Sequence, residues 1–523
     1  MPRTVGASTA RGDGDDLVTT DVASNSSRRQ SIIVWVWLGA AALAIAIVHF
    51  WLADPRRGPA IFADEVGYLA NARFLSGNGL IDMSNTAFYA GGWSIAITPF
   101  SWLFADHPVR LYGSVVAAQA VMAGVCVILM ARLCKWLFDI GWNLAILAAV
   151  AAGVYPAFVT NSGVVWAESM LTLALLVVIT AAVWLIRSVE NGTSTRALVV
   201  RAALAALAAG YLVTVHRRTL VAMLAMIVVL GSFLVFRRRP AVAATLAVTF
   251  GVASYLGQTF NRYLNNAVWD GRGGIDAGGK VSRLFHADGL GDALLTGAGQ
   301  IWYQVVASGG LAVIAVVGLL LLTGNRRDMS ADRRVTAAII VIVTGALVGV
   351  SVVFLANGRR ADHLVYGRYI DIVAPLLIAL AISWLATRPA TRGLLVAALS
   401  LVTVLFGTWA ILEVWATQRF EQPFNRVTAI SILGWIDHKR GSPALVRATF
   451  WTAAIGLTAL AIAYVAGRVA RRGEVGDPAV PHRRAALLSS LIAVLVICLF
   501  AWQLGDVRRL LLRGLARDAA NTA

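Results

Sequence analysis

The sequence predicts an all-α integral membrane protein with about 13 transmembrane helices. Of its 523 residues, 59% are hydrophobic and only 14% are charged, whereas average soluble chains carry roughly 25% charged residues. Apolar runs of about 20 residues, the length that crosses a bilayer, recur between Ile32 and Trp502. The net charge of +18 is therefore better explained by arginines flanking membrane spans than by nucleic-acid binding. The 3 cysteines form neither a disulfide framework nor a metal-binding spacing.

The N-terminal segment, residues 1–31, is polar and contains no apolar run, so we expect a disordered cytoplasmic tail rather than a cleaved signal. The first span covers Ile32–Leu52, and Arg28 and Arg29 before it place its start inside. Residues 32–505 form one multi-span domain, and residues 506–523 form a short tail, predicted outside. Hydropathy predicts the further spans Leu111–Ala131, Asn143–Thr160, Gly163–Ile186, Leu198–Val215, Leu220–Phe236, Ala241–Gly257, Ile301–Leu322, Val335–Leu355, Ile370–Leu385, Leu394–Trp415, Phe450–Val469 and Ala485–Trp502.

One apolar stretch, Ala87–Ala105, is long enough to span but is predicted to lie at the membrane surface. Leaving it out of the membrane keeps the tight arginine-rich turns on the inside, as the positive-inside bias requires. Gly91, Gly92 and Pro99 also favour a broken helix there. The predicted first outer loop, residues 53–110, therefore contains interfacial helices, and a second long outer loop covers residues 258–300. Its glycine-rich part, Asp270–Lys280, lacks the spacing of a P-loop and is interpreted as a mobile lid.

An acidic pair, Asp64-Glu65, follows the first span in the stretch FADEVGYLANARFLSGNG. Adjacent carboxylates point in different directions, so one can act on a substrate while the other orients it, binds a metal or caps a helix. Residues 65–75 have the pattern of a short amphipathic helix, and a capping role alone would also favour an acid at its start. A third acid, Glu168, is predicted in the outer third of its span.

Cationic residues are predicted at the same outer boundary. His216, Arg217 and Arg218 occupy an almost loopless turn between two spans, and Arg368 stands beside Tyr366 where a loop enters a span. Arginine binds phosphate oxygens through a planar fork, so both places are candidate phosphate sites. Arginines snorkelling to lipid headgroups, or a tyrosine-arginine interfacial belt, would also explain them.

At these residues the chain resembles the GT-C superfamily of multi-span glycosyltransferases. The similar stretches are ADE with YLANARFLSGNG, FYAGGWSIAITP, WAES ending near Glu168, and YGRYIDIVAP. The resemblance implies that Asp64 is the catalytic base, with Glu65 and Glu168 as candidates for substrate orientation or metal binding. His216, Arg217, Arg218, Tyr366 and Arg368 are the candidate residues for binding the donor phosphate, and Tyr89, Trp93 and His363 for contacting acceptor or donor.

The resemblance further implies an inverting transferase on the outer face of the plasma membrane. Its donor would be a polyprenyl-phosphate sugar and its acceptor an envelope glycan, lipid or protein. Some GT-C enzymes use a divalent cation and others none, so Mg²⁺, Mn²⁺ or Ca²⁺ stays an open expectation, as does the choice among mannosyl, arabinofuranosyl and aminoarabinosyl transfer. The alanine-, valine- and arginine-rich composition suggests a high-GC bacterium such as an actinobacterium.

Three other functions compete with transfer. A flippase or exporter of lipid-linked sugars would need cations along a path through the membrane, and the sequence shows neither these nor a repeat. A polymerase or ligase for surface polysaccharide would also use outer arginines, but an early acidic pair is less expected there. A non-catalytic scaffold would leave the clustering of charges on one side unexplained.

Overall fold

The computed structural model describes residues 15–53, 58–59, 62–271, 277–325, 329–356, 358, 360–437, 442–472 and 479–522. Within these ranges the regular elements are α-helices and short 3-10 turns, and a single isolated bridge joins Ile436 to Pro443. In the same ranges, 10 helices are long and apolar enough to cross a membrane, and counting each of 3 bent helix pairs as one span raises the number to 13. The predicted all-α, multi-span architecture is confirmed.

The helices, in chain order, are α1 Asp15–Ala53, α2 Phe62–Leu75, α3 Gly91–Leu103, α4 Pro108–Phe138, α5 Trp142–Gly153, α6 Pro156–Ser162, α7 Glu168–Glu190, α8 Thr195–Val215, α9 Leu220–Phe236, α10 Pro240–Val268, α11 Ala277–Ser282, α12 Ala287–Ala307, α13 Leu311–Gly324, α14 Ala331–Leu355, α15 Ala374–Ala386, α16 Thr391–Trp415, α17 Leu445–Arg472 and α18 Ala479–Thr522.

Three predicted spans are bent rather than straight. Helices α5 and α6 meet at 66°, α12 and α13 at 99°, and the segment Ala361–Tyr369 meets α15 at 71°. The sharpest bend interrupts the predicted span Ile301–Leu322 at Gly309 and Gly310, whose φ angles are +62° and +86°. Residues with side chains rarely adopt this left-handed conformation, so hydropathy found the span but not its break.

Several predicted loops are helical. Helix α1 starts at Asp15, inside the predicted disordered tail, and α18 continues past residue 506 to Thr522. Most of the predicted outer loop 258–300 is also helical, because α10 runs on to Val268 and α12 begins at Ala287. Residues 272–276, the centre of the predicted lid, lie outside the described residues. The predicted loop was therefore wrong at both of its ends.

Two short helices occupy the predicted first outer loop, as expected. Helix α2 carries Asp64 and Glu65 in its first turn. Helix α3 has 13 residues, fewer than the roughly 17 that a span requires, and Pro99 lies inside it. Gly91 begins this helix rather than breaking it.

Small and buried residues bring the remaining helices close together. The buried face of α8 contains Ala202, Ala205, Ala206 and Ala209, and every residue of α15 is buried. Small side chains let membrane helices approach closely, and dispersion contacts then hold them. At one end of this bundle, the first turns of α2 and α7 meet the last residues of α8, the second half of α10 and the 3-10 turn Gly367–Tyr369.

Candidate active site

Asp64 is held from two sides at the start of α2. The hydroxyl of Tyr89 donates a hydrogen bond of 2.5 Å to Oδ1, and Nη1 of Arg368 pairs with Oδ2. Burial and the negative charge of Asp64 raise the pKa of Tyr89, so this phenol stays protonated and can donate. The Asp64 side chain is still 19% exposed, so the carboxylate is oriented by its partners and remains accessible.

Arg368 lies between two carboxylates. Its Nε donates to Glu168 Oε1 at 2.7 Å and its Nη2 to Glu168 Oε2 at 3.4 Å, while Nη1 holds Asp64. The guanidinium also stacks 4.0 Å from the centroid of the Trp166 ring. All three nitrogens of Arg368 therefore have partners, which is the arrangement expected of a residue that fixes the positions of other groups.

Glu168 is the first residue of α7, a helix long and apolar enough to cross a membrane, and it is the buried acid that the arginines share. Its side chain is 1% exposed, and Nη2 of Arg218 lies 3.6 Å from Oε1. A carboxylate in the first turn of a helix is favoured by the helix dipole. The pairing with Arg218 and Arg368 compensates the cost of burying its charge.

Arg218 differs from Arg368 because its guanidinium has no hydrogen-bond partner. The side chain is 4% exposed, it stacks 4.5 Å from the centroid of the Tyr369 ring, and Nε, Nη1 and Nη2 all lack a hydrogen-bond acceptor. Buried polar groups are nearly always hydrogen-bonded, and leaving one unsatisfied costs about 1–3 kcal/mol or more when it is charged. The Arg218 guanidinium lies within ion-pair distance of Glu168 but donates no hydrogen bond, so it is suited to receive an anion.

His216 is kept neutral by its surroundings. Its Nδ1 accepts a hydrogen bond of 3.2 Å from the backbone N–H of Arg218, which leaves the proton of the neutral ring on Nε2. Burial, followed by the positive charges of Arg218 and Arg368, lowers the pKa of His216 well below its ordinary value of 6.5. His216 therefore adds no positive charge to the site near neutral pH.

Glu65 faces away from Asp64, as the spacing of adjacent residues predicts. Its side chain is fully buried, and Oε2 accepts hydrogen bonds from the Tyr112 hydroxyl at 2.6 Å and from the Val165 N–H at 3.0 Å. It thus ties α2 to α4 and to the residues before α7. This geometry gives Glu65 a structural position rather than a substrate contact.

A cavity of about 400 Å³ brings most of the predicted residues together. Its lining includes the predicted residues Asp64, Tyr89, His216, Arg217, Arg218, Tyr366 and Arg368. The volume falls within the range of small-molecule sites, about 300–1,000 Å³. Glu168 does not line the cavity itself but contacts Arg218 and Arg368, which do. Trp93, which is fully buried, and His363, which packs edge-to-face against Tyr366, do not line the cavity.

Helix α10 supplies one wall that the sequence analysis missed. The cavity is lined there by Gln258, Asn261, Arg262 and Asn265, whose spacing of three, four and seven residues places them on one helix face. Nε2 of Gln258 and Oδ1 of Asn265 are buried without a partner, whereas Asn261 is fixed by Gly91 N at 2.8 Å and Thr214 O at 3.2 Å. The helical periodicity of these polar residues is visible in the sequence, within the stretch predicted as the outer loop 258–300.

The carboxylates do not fit a divalent cation in this arrangement. No group of three or more His, Cys, Asp or Glu residues in the described parts of the chain is arranged to hold a metal ion. Asp64 and Glu168 both face Arg368, and Glu65 points elsewhere. A cation such as Mg²⁺ needs several oxygen ligands and would have to displace these arginine contacts.

No family model and no curated protein matches the chain. Among solved structures, it is similar to ArnT from Cupriavidus metallidurans bound to undecaprenyl phosphate, with a TM-score of 0.46, 14% identity, and coverage of 91% of this chain and 77% of that chain. It is similar to the apo state of the same protein with a TM-score of 0.46, 15% identity and the same coverages of 91% and 77%.

Proposed function

We propose that this chain is a membrane glycosyltransferase that moves a sugar from a polyprenyl-phosphate donor to a hydroxyl group of a cell-envelope acceptor. The observation that carries the proposal is the composition of one cavity. An oriented carboxylate, Asp64, faces the same space as the buried guanidinium of Arg218, which is ion-paired with Glu168 but makes no hydrogen bond. Amide atoms of Gln258 and Asn265 without a hydrogen-bond partner face it as well. A base, an anion receptor and hydrogen-bonding groups for a polar ring are what such a transfer requires.

Asp64 serves as the general base. Each carboxylate oxygen has two lone pairs, and in the structure Oδ1 and Oδ2 each use one, for Tyr89 and Arg368 respectively. A remaining lone pair can accept the proton of the acceptor hydroxyl as its oxygen attacks the anomeric carbon. The bond between that carbon and the phosphate oxygen breaks, and its electron pair leaves on the phosphate. A single displacement of this kind inverts the anomeric configuration, by analogy with inverting glycosidases.

Arg218 and Arg217 receive the leaving phosphate. Arg218 is buried with its donors free, and the exposed Arg217 lines the same cavity. Preorganised cations lower the barrier where negative charge develops. Arg368 has a different role in this scheme, because its nitrogens already position Asp64 and Glu168. No step of the scheme is assigned to a divalent cation.

The isoprenoid chain of the donor has an apolar path to this cavity. Leu220 lines the cavity at the start of α9, and Leu224 and Val228 continue the same helix face with 46% and 65% exposure. Residues four apart on a helix form one stripe. In the proposed scheme this stripe holds the lipid tail in the bilayer while its phosphate reaches Arg218.

The decisive test is transfer by the purified full-length protein. It is incubated with a panel of radiolabelled polyprenyl-phosphate sugars and with envelope acceptors, and labelled product is measured. Asp64→Asn should lower the transfer rate by about 10²–10⁴-fold, the usual contribution of a general base, while donor binding persists. The matched control is Asp82→Asn, in the same predicted outer loop. Asparagine keeps the Oδ1 atom that accepts a hydrogen bond from the Ser84 N–H, so this variant should transfer sugar at the normal rate.

Two outcomes would contradict the proposal. Wild-type rates in Asp64→Asn would show that this carboxylate is not the base. Movement of intact labelled donor across reconstituted vesicles, without any product, would favour the flippase alternative.

A further inference from the structure

A second polar cavity lies at the opposite end of the helices that build the candidate active site. Its volume is about 550 Å³, and it lies between the last turns of α4 and α7 and the first turns of α8. Helix α7 begins with Glu168 at the first site and places Arg187 in this second cavity. At 1.5 Å per residue, the 19 positions between them correspond to about 28 Å, close to the thickness of a bilayer core.

Three arginines from three helices converge on this cavity. Its lining contains Arg132 of α4, Arg187 of α7 and Arg201 of α8, and no acidic side chain. Each guanidinium lies near a tryptophan ring, with distances to the ring centroids of 5.5 Å, 5.7 Å and 4.5 Å respectively. These cation–π contacts orient the arginines without neutralising their charge.

Two described acids at this end of the bundle, Glu190 and Asp139, are already paired. Glu190 forms a salt bridge of 2.5 Å with Arg237, and Asp139 one of 3.0 Å with Lys135. Arg201 donates to the Ser188 hydroxyl and, at 3.5 Å, to the Thr193 hydroxyl, but neither partner is charged. The cavity thus concentrates three positive charges without a counter-ion among its lining residues.

One buried polar atom in the lining also lacks a partner. Oγ1 of Thr180, one turn before Trp184 on α7, is buried and makes no hydrogen bond. Such orphaned groups are rare in native structures unless a ligand or water completes them. The arginine cluster and this hydroxyl face the same cavity, so both point to a bound anion with oxygen atoms.

We propose that this cavity binds the phosphate group of an anionic lipid in the leaflet opposite the active site. Basic pockets between membrane helices bind anionic headgroups, and the half-exposed Trp184 beside Arg201 is suited to the headgroup region. In the predicted topology this end of the molecule faces the cytoplasm. The site takes no part in the transfer reaction, so a test of lipid binding here does not depend on whether the protein is a glycosyltransferase.

Native mass spectrometry of the purified full-length protein in detergent tests the proposal. The protein is offered phosphatidylglycerol, phosphatidylcholine or inorganic phosphate, and bound copies are counted for the wild type and for Arg132→Gln/Arg187→Gln. Each basic residue near a membrane surface contributes about fivefold to anion affinity, so the double variant should bind about 30-fold less phosphatidylglycerol. Neither side chain makes a hydrogen bond or salt bridge to a described residue, so folding should be preserved.

The matched control removes two arginines at the same end that do not line the cavity, Arg196 and Arg238, both exposed. Arg196→Gln/Arg238→Gln should bind phosphatidylglycerol within about threefold of the wild type, and Arg132→Lys/Arg187→Lys should retain part of the binding because charge is kept. If millimolar inorganic phosphate displaces phosphatidylglycerol, and the double variant loses phosphate binding as well, the cavity is still a phosphate site. Its ligand would then be a soluble phosphate rather than a lipid. Equal retention of phosphatidylglycerol and phosphatidylcholine, or an equal loss in the control variant, would overturn the proposal.

Discussion

At the scale of single residues, Arg218 and Arg368 show how two arginines of one cavity can have different tasks. The three guanidinium nitrogens of Arg368 donate hydrogen bonds to Asp64 and Glu168. Arg218 lies 3.6 Å from Glu168 and keeps every donor free of a hydrogen bond. A guanidinium whose nitrogens are all hydrogen-bonded positions its neighbours, whereas a buried one without hydrogen bonds gains free energy when a ligand accepts them. The sequence alone placed both residues in the same class of phosphate binder.

We therefore expect Arg218→Gln to weaken donor binding. Hydrogen bonds to a charged group contribute about 1.5–3 kcal/mol each, so the KM for the donor should rise by about 10- to 100-fold while the acceptor KM stays unchanged. Arg217→Gln is the matched control, because Arg217 is exposed at the neighbouring position and should raise the donor KM less. Steady-state kinetics over a range of donor concentrations measures both, and an equal effect of the two variants would refute the special position of Arg218.

At the scale of elements, sequence patterns located the helices better than their ends. The predicted short helix at the acidic pair is confirmed as α2, which carries Asp64 and Glu65 in its first turn. The polar wall of α10, with Gln258, Asn261 and Asn265, falls within the predicted outer loop 258–300, although the helical spacing of these residues continues that of the span. The bend at Gly309 and Gly310 was missed as well. Both errors come from the same cause: hydropathy measures preference for the membrane, whereas helix ends and bends depend on local backbone geometry and on packing partners distant in sequence.

The 3-10 turn that carries Arg368 is fixed by packing that requires a glycine. A Cβ atom on Gly367 would lie 2.0 Å from Cζ of Tyr303. The Tyr303 hydroxyl donates to Asp371 Oδ2 at 2.9 Å, and the Tyr155 hydroxyl donates to Oδ1 at 2.6 Å, so this ring cannot move without breaking a buried hydrogen-bond network. The position of Arg368 thus depends on contacts that join residues 155, 303 and 371, which no local sequence pattern reveals.

Gly367→Ala should accordingly displace Arg368 and with it the orientation of Asp64. A misplacement of about 1 Å in an active site can cost 10²-fold in rate, so we expect kcat to fall by about that factor and thermal stability to decrease. Gly349→Ala is the control, since a Cβ at Gly349 within α14 meets no atom within 4 Å and alanine is favoured over glycine in a helix interior. Normal transfer by Gly367→Ala would mean that the turn tolerates the shift.

At the scale of the whole molecule, the two cavities lie at the two ends of the same helices. Helix α7 places Glu168 behind the first cavity and Arg187 in the second, while α8 places Arg201 in the second cavity and is followed directly by His216, which lines the first. Composition and hydropathy predicted the class of fold and the number of spans because both follow from transfer free energies of single segments. The convergence of Asp64, Glu168, Arg218 and Arg368 could not be derived in this way, since these residues come from separate helices and meet only through tertiary packing.

Both proposed binding sites depend on the predicted orientation of the molecule in the membrane. The positive-inside bias places the end with Asp64 outside and the end with Arg132, Arg187 and Arg201 inside. The orientation can be tested by introducing single cysteines into the Cys498→Ala variant. This background removes the exposed Cys498, while Cys126 and Cys134 are buried. Asn85→Cys, near Asp64 in sequence, and Ser194→Cys, at the start of α8, both replace exposed residues. A membrane-impermeant maleimide applied to intact cells should label Asn85→Cys, whereas Ser194→Cys should react only after the cells are permeabilised. The reverse pattern would place the Asp64 cavity in the cytoplasm, where nucleotide sugars are available and a lipid-borne donor is no longer required.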